Sequence, residues 1–124
     1  NEARAAMPVQ VDGNSVDLFP NPPTEANRAV IVVQNAAGDV VNRFDIAPLA
    51  TDITWEPVDI SGQPLPSGTY EFRLESYKDE EQLATLGVEV YAPITEVRGG
   101  TAGMTLVMNG GIEVPVSSVT GLRG

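Results

Sequence analysis

The fold is decided by the stretch from residue 53 to residue 75, ITWEPVDISGQPLPSGTYEFRLE. Its first three residues, Ile53–Trp55, predict a short strand, and residues 59–68 are dense in glycine, proline and serine, which is typical of a turn-rich loop. After the loop, apolar and charged residues alternate with a period of two, which places one face of a strand in the core and the other in solvent. The apolar members of that alternation are Tyr70, Phe72 and Leu74.

Upstream and downstream of this stretch, the same alternation recurs and no long helical period appears. Val30–Val33 is apolar on both faces, which predicts a central strand of a sheet. A turn at residues 37–39 is expected to send the chain back as a second strand over residues 40–44. Residues 78–81 predict a polar hairpin tip, with a returning strand through Leu83 and Leu86.

The two ends of the chain also read as short strands. Asp12-Gly13-Asn14 predicts a hairpin that joins strands at residues 9–11 and 16–18, and the prolines at 20, 22 and 23 predict a linker. Beyond Val88, two short strands separated by Pro93 are expected, and then a hairpin around Asn109-Gly110-Gly111. A last short strand is expected to begin near Val119.

Composition excludes several classes of function. The chain carries 17 acidic and 7 basic residues, a net charge of −10, with no histidine and no cysteine. Nucleic-acid phosphates and anionic membranes need clustered basic residues, and zinc sites or activated nucleophiles usually need histidine or cysteine. No apolar run approaches the roughly 18 residues of a membrane span. The acidity predicts solubility and mutual repulsion of monomers, with a basic partner surface as the alternative.

Paired carboxylates are the one catalytic arrangement that this composition could support. The candidate acids are Asp45, Asp52, Glu56 and Asp59, but a sugar-cleaving site also needs aromatic platforms, and only Trp55 is nearby. Oxygen ligands for calcium could come from residues 12–14 and Asp17, although the EF-hand spacing is absent. We therefore interpret these residues as solvated loop acids and a hairpin turn, and predict no enzyme, no cofactor and no metal. Met104 and Met108, on one face of a strand, are interpreted as core residues.

The order of residues from Trp55 to Tyr70 resembles the signature W-D-G-x-D-x-x-G-x-x-L-P-x-G-x-Y of the immunoglobulin-like insert of bacterial flagellar hook-capping proteins. The residues that carry it are Trp55, Asp59, Gly62, Leu65, Pro66, Gly68 and Tyr70. The chain departs from the signature at Glu56-Pro57, where the family usually has Asp-Gly. The hairpin over residues 30–41 is similar to the family's preceding hairpin, and the flanks at residues 9–16, 91–97 and 109–111 resemble the strands of its Tudor-like barrel.

This resemblance implies an all-β fold in which a small immunoglobulin or fibronectin III-like sandwich is inserted into a Tudor-like small β-barrel. The sandwich would comprise residues 24–86, and the barrel would be split between residues 1–19 and 87–124. We expect the signature residues to identify the fold by packing, as large aromatic anchors of a thin core, and not to form a binding or catalytic site.

For function, the resemblance implies a non-catalytic cap at the extracellular tip of the growing flagellar hook, which promotes polymerisation of hook subunits. Its expected partners are hook subunits, further copies of itself in a homo-oligomer, and the flagellar type III export apparatus, with no nucleic acid and no membrane insertion. Because the chain starts at Asn1 without an initiator methionine, it is interpreted as a core fragment that lacks an N-terminal region. The alternative is an accessory immunoglobulin-like binding module of a secreted enzyme or adhesin.

Overall fold

The computed structural model describes residues 1–124, which form thirteen strands and one short 3-10 helix at Val116–Ser118. The strands are β1 (Glu2–Ala6), β2 (Val9–Val11), β3 (Val16–Phe19), β4 (Arg28–Asn35), β5 (Val40–Ile46), β6 (Ile53–Trp55), β7 (Gly68–Lys78), β8 (Glu81–Gln82), β9 (Leu86–Gly87), β10 (Glu89–Gly100), β11 (Gly103–Met108), β12 (Ile112–Pro115) and β13 (Gly121–Arg123). The predicted all-β class is confirmed. No helix in the structure has the length and apolar character needed to cross a membrane.

The strands form two antiparallel sheets. The seven-stranded sheet has the order β12-β11-β10-β1-β13, with β3 beside β10 and β6 beside β3. The six-stranded sheet has the order β2-β7-β4-β5, and the short strands β8 and β9 also pair with β7. Antiparallel pairing throughout is what short turns between consecutive strands require.

The six-stranded sheet matches the sequence-based expectations in its centre. Strand β4 is buried on both faces from Val30 to Val33, and it pairs with β5 on one side and β7 on the other. Its outward valines, Val30 and Val32, are covered because Arg43 of β5 and Glu75 of β7 form an ion pair of 2.7 Å across β4. The aliphatic stems of such long side chains exclude water from the apolar strand beneath them.

The predicted hairpin between residues 9–11 and 16–18 is wrong. Strand β2 pairs with β7, with Val9 opposite Tyr70, whereas β3 pairs with β10 and β6 in the other sheet. Apolar alternation identifies the buried face of each strand, but it does not identify the partner strand. The turn residues after Val11 therefore carry the chain from one sheet to the other instead of folding it back on itself.

A single long strand, β10, replaces the two short strands expected around Pro93. Its residues up to Pro93 pair with β1, and those from Ile94 onward pair with β11, with a register irregularity between Ile94 and Glu96. Proline has no N–H to donate to a ladder, so it is tolerated where the pairing changes. Its carbonyl still accepts a hydrogen bond of 2.9 Å from the backbone N–H of Asn109.

The predicted division into residues 1–19 plus 87–124 and residues 24–86 is crossed by strand pairing at two places. Strand β2 belongs to the sheet of the expected insert, and β6 belongs to the sheet of the expected barrel. Moreover, twenty buried residues from both sheets form one continuous hydrophobic cluster. A chain this short cannot easily fill two separate cores, and the shared cluster gives both parts buried area. The division into residues 1–19 plus 87–124 and residues 24–86 stays a prediction.

Smaller differences concern the C-terminal strands. The hairpin at residues 109–111 is confirmed, and it joins β11 to β12. Of the two methionines expected in the core, Met108 is buried but Met104 is 53% exposed. The last strand begins at Gly121, two residues later than expected, because a 3-10 turn precedes it.

Candidate functional site

Trp55 lies at the junction of the two sheets. Its backbone pairs with Val16 of β3, and its ring meets the ring of Phe72 edge to face, with centroids 5.1 Å apart. Tyr70 lies on another side of the indole, at a centroid distance of 6.4 Å. Trp55 is buried, which is consistent with a role in packing a large apolar surface.

Asp59 organises the turn that follows Trp55. Its Oδ1 accepts hydrogen bonds from the backbone N–H and the hydroxyl of Ser61, at 2.9 and 2.6 Å, and from the backbone N–H of Gln63 at 3.0 Å. These donors, the Ser61 hydroxyl first, hold the pKa of the Asp59 carboxyl below its usual range. Gly62 completes the turn with a φ of +87°, a conformation that residues with a Cβ rarely adopt.

The remaining signature residues close the loop onto β7. The backbone N–H of Leu65 donates to the carbonyl of Pro57 at 2.9 Å, and Leu65 packs against the shared core. The hydroxyl of buried Tyr70 donates to the carbonyl of Pro66 at 2.6 Å. A tyrosine that reaches back to upstream backbone in this way is typical of immunoglobulin-like sandwiches. Gly68 starts β7 opposite Val11, at a negative φ.

The structure thus brings all seven signature residues into one closed segment. The Asp59 carboxylate and the Tyr70 hydroxyl bond to groups of that segment, whereas the buried indole Nε1 of Trp55 has no hydrogen-bond partner. The prediction that these residues act by packing remains an interpretation of that geometry.

The candidate catalytic and metal-binding acids are dispersed. Asp45 lies 3.7 Å from Arg28, and Asp17 lies 3.3 Å from Arg123, both as exposed or half-exposed ion pairs. Asp52 and Glu56 are exposed and belong to no ion pair. The structure contains no group of three or more acidic residues placed to hold a metal ion.

A cluster of arginine side chains stacked on aromatic rings lies on the outer face of the seven-stranded sheet and was not predicted from the sequence. The guanidinium carbon of Arg4 lies 4.2 Å from the ring centroid of Phe19, and that of Arg123 lies 4.1 Å from the ring centroid of Tyr91. The two rings meet edge to face at 5.5 Å. Gly121 permits this arrangement, because a Cβ there would lie 2.8 Å from the Tyr91 hydroxyl. No local motif announces the cluster, since its members come from four strands.

Ion pairs neutralise every arginine of the chain. Arg123, for instance, bonds to Glu2 at 2.5 Å and to Asp17 at 3.3 Å, and the Glu2 hydrogen bond is the main cause of its raised pKa. All six arginines, Arg4, Arg28, Arg43, Arg73, Arg98 and Arg123, have an acidic partner within 4 Å. The charge left over on the surface is therefore almost wholly negative.

Comparison with solved structures shows the same fold along nearly the whole chain. FlgD from P. aeruginosa is 23% identical, with a TM-score of 0.85 over 99% of this chain and 96% of that chain. FlgD from Xanthomonas campestris, described for the hook capping essential for flagellar assembly, is 18% identical, with a TM-score of 0.74 over 98% and 91%. Truncated FlgD from Helicobacter pylori is 18% identical, with a TM-score of 0.54 over 96% and 90%.

At the level of sequence, a search of curated proteins finds no match. The family model of the FlgD Ig-like domain, in contrast, matches residues 6–80. This range contains the complete signature from Trp55 to Tyr70 and the strands β2 to β7 that support it. Because the match spans more than half of the sequence, the chain belongs to the FlgD Ig-like domain family.

Proposed function

We propose that this protein is a scaffolding cap at the tip of the growing bacterial flagellar hook, where it promotes the polymerisation of hook subunits. The observation that carries the proposal is the combination of FlgD family membership with a fold shared with FlgD over 99% of the chain. The role needs no covalent chemistry, which agrees with an Asp59 carboxylate and a Tyr70 hydroxyl that bond within their own loop. The cap works through its surfaces.

Three partners follow from this role. Hook subunits are held while they fold and join the hook, further copies of the chain complete the cap, and the flagellar type III apparatus exports the protein to the hook tip. A chain without cysteine forms no cross-links that would obstruct transit through a narrow channel in an unfolded state. The acidic surface favours basic patches on the first of these partners.

The accessory binding module of a secreted enzyme or adhesin accounts for less of the molecule. Such a module explains the immunoglobulin-like part, but strands β10 to β13 lie beyond the family match at residues 6–80. These strands contribute Leu106, Met108 and Val114 to the same core as Trp55. The chain therefore behaves as one unit to which the whole-length likeness to FlgD applies, which favours the cap.

The test is deletion of the gene in its flagellated host. We expect hook subunits to accumulate unassembled in the culture medium and hooks to be absent by electron microscopy. Expression of the wild-type gene from a plasmid should restore hooks, whereas the empty plasmid should not. Normal hooks in the deletion strain would overturn the proposal.

A further inference from the structure

The net charge of the molecule is confined to one part of the sequence. Residues 1–89 hold 15 of the 17 acidic and 5 of the 7 basic residues, which accounts for the entire net charge of −10. Residues 90–124 hold two acidic and two basic residues and are neutral. In the structure, this neutral part forms most of β10 together with β11, β12 and β13.

An apolar face of the β10–β11–β12 meander continues outward from the core. Leu106 lies opposite Val97 on one side and Val114 on the other, so these three side chains share a face. Leu106 and Val114 are buried in the common cluster, whereas Val97 is 53% exposed. Met104 lies two residues before Leu106 on the same face and is equally exposed.

The outer part of this apolar face is exposed, and ion pairs on the opposite face hold its strands together. Gly99 pairs with Met104, and a Cβ at Gly99 would meet no atom within 4 Å, so nothing in the chain covers this part of the face. On the opposite face of the hairpin, Arg98 bonds to Glu96 at 3.2 Å and to Glu113 at 3.3 Å. The Glu113 pair ties β10 to β12, and Glu96, Arg98 and Glu113 together give the meander, residues 90–115, a net charge of −1. We call the surface of Val97, Gly99 and Met104 the hairpin face.

We propose that the hairpin face is the surface through which copies of this chain bind one another, an inference that rests on the proposed cap function. Two molecules that each carry a charge of −10 repel one another most where their acidic parts meet. Contact through the meander, whose residues 90–115 carry a net charge of only −1, brings less like charge together than contact through residues 1–89. It also buries apolar side chains that the core leaves exposed, which is the main favourable term in association.

Salt should strengthen this contact. The Debye length falls from about 10 Å at 0.1 M salt to about 3 Å at 1 M, so the remaining long-range repulsion is screened while apolar burial is retained. The 124-residue protein is therefore expected to be mainly monomeric at low salt and to associate as salt and protein concentration rise. Sedimentation velocity across a salt and concentration series measures this directly.

The decisive variants are Met104→Glu and Met104→Lys. Both place a charge on the hairpin face, so both should raise the dissociation constant for self-association at high salt by about tenfold or more, which corresponds to about 1.4 kcal/mol. Leu49→Glu is the matched control, because Leu49 is 80% exposed in the loop between β5 and β6, outside strands β10 to β12, and the variant adds the same charge as Met104→Glu. It should associate like the wild type. Circular dichroism confirms that each variant is folded.

Three results would overturn the proposal. One is a wild-type protein that stays monomeric throughout the series. Another is a Leu49→Glu variant that weakens association as much as Met104→Glu, which would assign the effect to net charge. The third is a Met104→Lys variant that associates more tightly than the wild type. The gene deletion is judged by the presence of hooks, so it tests the cap function separately from this surface. Loss of hooks in the deletion strain, together with a strictly monomeric protein, would reject only the proposed surface. Normal hooks in the deletion strain would reject the cap function itself.

Discussion

At the scale of single residues, Trp55 connects the two sheets, because its backbone pairs within one sheet and its ring packs on Phe72 of the other. Replacement by alanine leaves a cavity between the sheets, and we expect Trp55→Ala to lower the free energy of unfolding by about 3–5 kcal/mol. The midpoint of urea unfolding measures this change. Thr54→Ala, an exposed neighbour on the same strand, should change it by less than about 0.5 kcal/mol. A midpoint for Trp55→Ala equal to that of the wild type would contradict the buried anchor.

Asp59 gives the protein a contribution to stability that depends on pH. Its pKa in the folded state is lowered by the hydrogen bonds from Ser61 and Gln63, so the contribution is present above the unfolded value of about 3.9 and is lost as pH falls through the lower folded value. We expect Asp59→Asn to be less stable than the wild type at pH 7. The difference should shrink as pH falls below the unfolded value, in unfolding curves measured from pH 7 to pH 2.

The matched control for this variant is Asp52→Asn. Asp52 is an exposed loop carboxylate that belongs to no ion pair in the structure. Its replacement should leave the free energy of unfolding at pH 7 within about 0.5 kcal/mol of that of the wild type. If Asp59→Asn gave the same difference from the wild type at both ends of the range, the carboxylate would not be the group that stabilises the turn.

The signature shows how far single residues could be predicted from the sequence. The burial of Trp55 and Tyr70 followed from their place in a recognisable pattern, and both are buried. The sequence suggests that Asp59 is a solvated acid, yet its carboxylate organises the turn. This role could not be predicted, because hydrogen bonding to backbone N–H groups leaves no trace in composition. The stacking of Arg123 on Tyr91 joins residues of two strands that are not sequence neighbours, so no local pattern predicts it.

At the scale of elements, β13 is held against the sheet by a close fit at Gly121. A Cβ at this position would lie 2.8 Å from the Tyr91 hydroxyl but 3.6 Å from the ring carbon that bears it. We therefore expect Gly121→Ala to destabilise the protein by about 1–3 kcal/mol through overcrowding. The cost should largely disappear in a Tyr91→Phe background, because the clashing oxygen is then absent.

A double-mutant cycle measured by thermal or urea unfolding tests this coupling. The two single variants, the double variant and the wild type are all required. Additive effects of Gly121→Ala and Tyr91→Phe would mean that the hydroxyl is not the group that limits the approach of β13 to the sheet.

Strand partners were the least predictable feature at this scale. The alternation in β7 and the hairpin of β4 and β5 were correct, because each depends only on residues close together in sequence. The pairing of β2 with β7 was not predicted, because the turn after Val11 is consistent with either a hairpin or a crossing between sheets. Pro93 was interpreted as a strand end, although it marks a change of partner within β10.

At the scale of the whole molecule, a single hydrophobic cluster predicts a single cooperative unfolding transition. Trp55 fluorescence reports the junction of the sheets, and far-ultraviolet circular dichroism reports all strands. We expect the two probes to give coincident urea transitions. Separate transitions would instead support two independent domains with boundaries near residues 19 and 87.

The distribution of charge is the other property of the whole molecule that bears on function. The acidic residues are concentrated in residues 1–89, and the weakly charged meander offers the hairpin face. Composition predicted the net charge and the repulsion between monomers. Composition could not predict which face carries the least charge, because the position of charged residues on the surface depends on which strands lie together at one end of a sheet.

The location of the protein on the flagellum tests the proposed cap most directly. Immunogold electron microscopy of cells with growing hooks, using antibodies against this protein, measures that location. We expect label at the distal tip of incomplete hooks and no label in the deletion strain. Label distributed along the hook, or at the cell surface without relation to hooks, would contradict it.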